Sequence, residues 1–177
     1  FNPMNVVTFV DNHDSQHRQS LESFIEEWFK EIAYAFILLR KDGYPCLFYG
    51  DYYGIGGEVP KAPLKERLDP LLLARKYLAY GEQVDQFDDA HIVGWQRLGD
   101  EEHADSGLVA VISNTDDGSL YFSFGESQAG SVWIDITLHH HHEIILSDQG
   151  GADFPVSGGQ VSVWVKKVAA EKIPEVM

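Results

Sequence analysis

Cysteine is nearly absent from the chain. Cys46 is the only one among 177 residues, so no intrachain disulfide framework exists. Cationic side chains are scarce as well: Lys and Arg number 13 against 28 Asp and Glu, a formal net charge of −15. Nucleic-acid binding depends on Lys and Arg neutralising phosphates, so this balance argues against a DNA or RNA partner. No apolar run approaches the roughly 18 residues a spanning helix needs, and no membrane segment is expected. A basic start followed by an apolar stretch is lacking, so no secretory leader is expected in these residues. The chain opens on Phe1 rather than Met, and the expectation is that the true start lies upstream. What is plentiful is core material. Hydrophobic residues make up 44% and aromatic residues 12%, which excludes a disordered chain.

The missing cations are unevenly missing. Residues 1–81 carry a net charge of −2 and residues 82–177 a net of −13, and Arg97 is the only Lys or Arg between 82 and 165. The hydrophobic pattern changes at the same place. Two units are therefore expected, 1–81 and 82–166, with a tail over 167–177.

The first unit reads β-α-β-α. Asn5–Val10 is a nearly continuous β-branched run, as in a parallel strand buried on both faces. Leu21, Phe24, Ile25, Trp28, Phe29, Ile32, Phe36 and Leu39 recur every three or four residues, which predicts a long helix with one apolar stripe. Gly43 suits a left-handed turn after that helix. Pro45–Gly50 reads as a second buried strand, and 51–62 as a Gly-rich loop. Leu64, Leu68, Leu71, Leu72 and Leu78 then line a second helix that ends at Gly81. Crossovers of this length permit parallel pairing. Two strands bury neither face unaided, so the unit looks incomplete.

The second unit alternates at short spacing. Strands are expected at Gln83–Phe87, Ile92–Arg97, Leu108–Ser113, Leu120–Phe124, Val132–Asp135, Glu143–Leu146 and Val161–Val165, which suits an antiparallel Greek-key sandwich. Trp95, Trp133 and Trp164 are expected in its core, and Cys46 is expected as an inert packing residue in its strand. His139–His142 reads as a solvated loop.

Asp11-Asn12-His13-Asp14 is the strongest chemical feature. It directly follows the first strand, and in α/β folds the loops at the carboxyl ends of parallel strands open onto one face. Carboxylates and an imidazole there need solvation, pairing or a function. An Asx turn with a helix cap is the plain structural alternative. Asp11, His13, Asp14 and His17 are all metal-ligand types, but their spacing matches no standard metal motif and no metal is assigned.

Thr8–Asp14 resembles the fourth signature region of the α-amylases of glycoside hydrolase family 13. The likeness continues through Trp28-Phe29-Lys30, Gly43-Tyr44-Pro45, Phe48–Gly54, Ile92–Trp95 and Gly158–Val163, covering residues 1 to about 166. The resemblance implies a fold of α/β plus all-β type. Residues 1–81 would be the last two βα units of a (β/α)8 barrel, and 82–166 the Greek-key β-sandwich called domain C. It implies α-glucan substrates: starch, glycogen and maltooligosaccharides. Asp14 would be the third catalytic carboxylate, and His13, Asn12 and Gln19 would bind substrate. A retaining glycosidase also needs a nucleophile and a general acid, about 5–5.5 Å apart. In this family both lie on earlier barrel strands, so the isolated chain is expected to be inactive without the missing N-terminal barrel and B domain. Calcium is possible in the intact enzyme. Where some relatives bind it between barrel and domain C with two Asp, this chain has His91 and Asn114, and no calcium site is assigned here. The other reading is a non-catalytic carbohydrate-binding or structural β-sandwich module.

Overall fold

The computed structural model describes residues 2–173. Of the expected tail, 174–177 lie outside the described residues. Within 2–173 no helix is long and apolar enough to cross a membrane.

The chain begins with β1 (Val7–Phe9), α1 (Glu27–Leu39), β2 (Tyr44–Cys46), α2 (Tyr49–Tyr53) and α3 (Lys65–Tyr77). β1 and β2 pair in parallel, with Val7 opposite Tyr44 and Phe9 opposite Cys46. The expected burial of both strands is not met within this chain. Val7 is 60% exposed, Phe9 54% and Tyr44 71%, because no further strand flanks the pair. Cys46 is likewise exposed, contrary to its expected packing role.

α1 starts six residues later than the apolar spacing predicts. The backbone donors before it are drawn back to the preceding loop. Ser23 N donates to Ser15 O at 3.0 Å, and Ile25 N to Asp11 Oδ1 at 3.3 Å. The buried side of α1 holds Lys30, Glu31, Tyr34, Ala35, Leu38 and Leu39, while Trp28 and Phe36 of the expected stripe are exposed. The second strand also ends early: Phe48 O accepts from Asp51 N and Tyr52 N, which turns the chain into α2 instead of a glycine loop.

From residue 83 strands dominate: β3 (Gln83–Gln86), β4 (Ile92–Arg97), β5 (Leu108–Ser113), β6 (Gly118–Ser123), β7 (Val132–Asp135), β8 (Ile144–Ile145), β9 (Gly151–Val156) and β10 (Val161–Lys166). A six-stranded sheet runs β3-β4-β5-β10-β7-β8, antiparallel at each pairing, and β6 and β9 form a separate antiparallel ribbon. β9 was not expected, since Gly151, Asp153 and Pro155 all disfavour strands. Pro155 is tolerated because β9 has a partner on one side only.

The large sheet is covered on both faces. Along β5, Leu108, Ala110 and Ile112 join a core with Leu38 and Leu39 of α1 and Leu68, Leu71 and Ala74 of α3. Val109 and Val111 join the other core, with Phe122, Trp133, Phe154 and Trp164. Alternation along β5 and β10 therefore separates two apolar layers rather than core from solvent. Trp95, Trp133 and Trp164 are fully buried, as expected. After β10 the chain turns into a short helix, α4 (Lys167–Ala170), and Ala169, Ala170 and Ile173 pack into the helix-side core rather than trailing into solvent.

The junction between the helices and the sheet is tied by two arginines. Arg75 donates to Leu38 O at 2.5 Å, and Arg97 donates to Leu39 O at 3.4 Å and to Gly81 O at 3.0 Å. The lone cation of residues 82–165 thus joins the last carbonyl of α1 to the Gly81 carbonyl at the end of the helical unit. Gly81 sits at φ +80°, and a Cβ there would lie 2.0 Å from Gly99 O. Only glycine permits that approach.

Candidate active site

The Asp11–Asp14 segment leaves the carboxyl end of β1 as a self-braced turn. Asn12 Oδ1 accepts from Asp14 N and Ser15 N, both at 2.9 Å. Ser15 Oγ donates to Asp11 Oδ1 at 3.1 Å. Gln16 Nε2 donates to Asn12 O at 2.8 Å, and Lys61 Nζ reaches Gln16 Oε1 at 2.7 Å. The four polar residues therefore divide. Asp11 points inward, the Asn12 carbonyl holds the turn, and His13 and Asp14 face out. His13 Nε2 lies 3.3 Å from Asp14 Oδ1, with side chains 85% and 47% exposed.

A groove of about 590 Å³ opens beside the turn. One wall carries His13, Gln16, His17, Arg18 and Gln19; the other carries Tyr49, Gly54–Gly56, Glu58, Val59 and Lys61. Ile55 and Lys61 exchange backbone hydrogen bonds at 3.0 and 2.9 Å, which holds the second wall as a narrow loop. An Arg18–Glu58 ion pair joins the two walls. Of the residues expected at the site, His13 and Gln19 line the groove. Asp14 stands next to His13, and neither Asp14 nor Asn12 is among the residues lining the groove.

Beneath the groove lies a charge cluster that sequence reasoning missed. Lys30 Nζ is 3.1 Å from Asp11 Oδ2 and pairs with Asp51 Oδ1, and Tyr34 donates to Asp51 Oδ2 at 2.7 Å. Burial alone would pull the Lys30 pKa down. The hydrogen bond and charge of Asp51, with Asp11 and Glu27, outweigh it and leave the pKa raised. Burial, and then the hydrogen bond to Asp51, push the Tyr34 phenol up. Lys61 is lowered, first by burial and then by the charge of Lys30. Asp51 is thus bound inside the protein and does not point into the groove.

The two remaining histidine features lie elsewhere. His91 Nδ1 and Asn114 Oδ1 meet at 3.2 Å, so the two positions are brought together. An imidazole and a neutral amide are a poor donor set for calcium, which takes six or more oxygen ligands in most sites. Among the described residues no group of three or more His, Cys, Asp or Glu is placed to hold a metal. The histidine tract is only half solvated. His141 and His142 are exposed, whereas His139 bonds Val161 O at 2.8 Å and the His140 ring lies 5.6 Å from Trp164.

No family model matches the chain. Its fold is that of solved α-amylases. An α-amylase from Malbranchea cinnamomea superposes with a TM-score of 0.69 over 99% of this chain and 40% of its own, at 16% identity. An Anoxybacillus α-amylase gives 0.62 over 93% and 38%, at 19% identity. Sequence carries the likeness further. The chain is 47% identical over 165 residues to a glucan 1,4-alpha-maltohexaosidase of Bacillus sp. (strain 707), covering 93% of this chain and 32% of the relative. It is 47% identical over 169 residues to the alpha-amylase of Bacillus licheniformis, covering 93% and 33%. It is 40% identical over 172 residues to the cytoplasmic alpha-amylase of Escherichia coli (strain K12), covering 92% and 34%. By sequence the chain is similar to α-amylases over nearly its whole length, and it spans about a third of the length of these curated relatives.

Proposed function

We propose that this chain supplies one wall of an α-amylase active site, acting on internal α-1,4 bonds of starch- or glycogen-like glucans by a retaining mechanism. In this reading 1–81 are the last two βα units of a (β/α)8 barrel and 82–166 form domain C. The observation that carries it is the outward pair His13 and Asp14, held beside a groove at the carboxyl end of a parallel strand. The open faces of β1 and β2 support it, because Val7, Phe9 and Tyr44 are an apolar surface of the kind that further barrel strands would cover.

The chemistry follows from the charges. Glycoside cleavage passes through an oxocarbenium-like transition state with positive charge on the sugar ring. The Asp14 carboxylate favours that charge and accepts hydrogen bonds from sugar hydroxyls. These bonds strengthen as the ring flattens. His13 donates to the same sugar, and Gln19 contacts it further along the groove. Asn12 acts chiefly by fixing the turn. Nucleophile and general acid come from the upstream strands, and these residues hold no calcium in this reading.

A chimera tests this. This chain replaces the matching third of the Bacillus licheniformis α-amylase, and starch hydrolysis is measured. The chimera is expected to turn over starch, and Asp14→Asn is expected to lower kcat about a hundredfold or more with little change in KM. Normal kcat in the Asp14→Asn chimera, or starch cleavage by the unfused 177-residue chain, refutes the assignment.

A further inference from the structure

The Lys30 ammonium has no part in the chemistry above, yet it is wholly buried. Its side chain is 0% exposed, and those of Asp11 and Asp51 are each 1% exposed. Removing water from an ammonium favours its neutral form unless anions hold the charge in place. The buried Asp11 and Asp51 do so here, with the half-exposed Glu27 Oε1 at 3.3 Å beside them, and the two buried carboxylates come from different sides of the groove. Asp11 opens the turn that presents His13 and Asp14. Asp51 lies in α2, which runs directly into the Gly54–Lys61 wall. Lys30 belongs to neither side and rises between them from α1.

Each carboxylate is also wired into its own wall. Asp11 Oδ1 accepts from Ser15 Oγ at 3.1 Å and from Ile25 N at 3.3 Å. Asp51 Oδ2 accepts from Tyr34, and its backbone carbonyl accepts from Leu64 N at 2.8 Å, where the wall loop returns. Without a cation between them, two buried anions repel across the gap; with it, the sign of the interaction reverses.

We propose that Lys30 is a positioning residue: it ties the Asp11–Asp14 turn to the Asp51–Lys61 loop and so sets how far apart the two walls of the groove stand. Its importance for catalysis rests on the glucan reading, but the tie itself is a property of this chain and is testable without sugar.

Backbone amide NMR of the 177-residue chain provides the test. Asp51→Asn alters one wall directly. With Lys30 in place it is expected to displace the amide resonances of Asp14 and Ser15 on the other wall. In a Lys30→Met background, where the Arg18–Glu58 pair and the Lys61–Gln16 bond still cross between the walls, the same substitution is expected to displace them far less. Displacement of equal size in both backgrounds, or none in either, overturns the proposal. If Lys30→Met does not fold, amide exchange in Asp51→Asn decides. Exchange at Ser15 faster on the order of tenfold supports the tie, and an unchanged rate overturns it. Maltohexaose added to the wild-type chain is read separately at Asp14 and Gln19. Absence of any response to the sugar counts against the glucan reading alone, because the wall-to-wall displacement is measured without it.

Discussion

The β1-β2 pair and the six-stranded sheet contain the same kind of sequence and meet opposite fates. Asn5–Val10 and Leu108–Ser113 are both dense β-branched runs. β5 is buried at every residue, because helices cover one face and the β6-β9 ribbon covers the other. β1, with an equally apolar run, leaves Val7 and Phe9 open. A continuous β-branched run therefore specifies a demand for two covering layers, and the chain itself meets that demand in one place only. Burial is set by what is packed against a strand, not by the strand.

That contrast is easiest to break at its extremes. Trp164→Ala removes a fully buried indole from the ribbon-side core and is expected to cost about 3–5 kcal/mol in urea unfolding. Val7→Ala in the same chain is expected to stay within about 0.5 kcal/mol, the range of surface substitutions. In the chimera with upstream strands, Val7→Ala is expected to become measurably destabilising. Equal costs for Trp164→Ala and Val7→Ala in the isolated chain would erase the distinction between the covered sheet and the open β1-β2 pair.

A smaller effect is expected at the junction between them. Gly81→Ala forces a side chain into the left-handed region and against Gly99 O, and a loss of about 2 kcal/mol is expected by chemical denaturation. An unaffected midpoint would show that the junction relaxes freely.

The smallest effect is pH-dependent and tests the outer layer. Burial lowers the His140 pKa first, with His142 and His139 adding to it and Asp135 opposing. A depressed folded pKa means that the folded state prefers neutral imidazole. The resulting stability is fully present above the unfolded value of about 6.5 and is lost as pH falls toward the folded value. His140→Phe keeps a ring on Trp164 but cannot titrate. Its Tm is expected to fall less than that of the wild type as pH drops below about 6.5. Parallel Tm profiles would remove His140 from the acid response.

Much of this was legible in the residues. The Asp11–Asp14 turn, the parallel pairing of the first two strands, the tryptophan core and most of the later strands follow from spacing and turn chemistry. What was illegible had physical causes. β9 is written in Gly, Asp and Pro, and it is a strand because β6 pairs with it. Lys30 looks like a solvent-facing helix residue until two distant aspartates are seen to meet it. α1 starts late because Asp11 and Ser15 compete for its first donors. In each case a contact between residues far apart in sequence overrides a local preference.

Arg97 and the helix-side core have a consequence for engineering. The change of charge after residue 81 resembles a seam at which the later strands might be lifted out and fused to another protein. The packing does not stop there. Trp95, Leu108, Ala110, Ile112, Val161, Val163 and Val165 share one core with α1 and α3. A transplant of 82–166 alone would carry that apolar face bare, with its single arginine aimed at carbonyls left behind in the donor. The transferable cassette starts at α1, not at the seam.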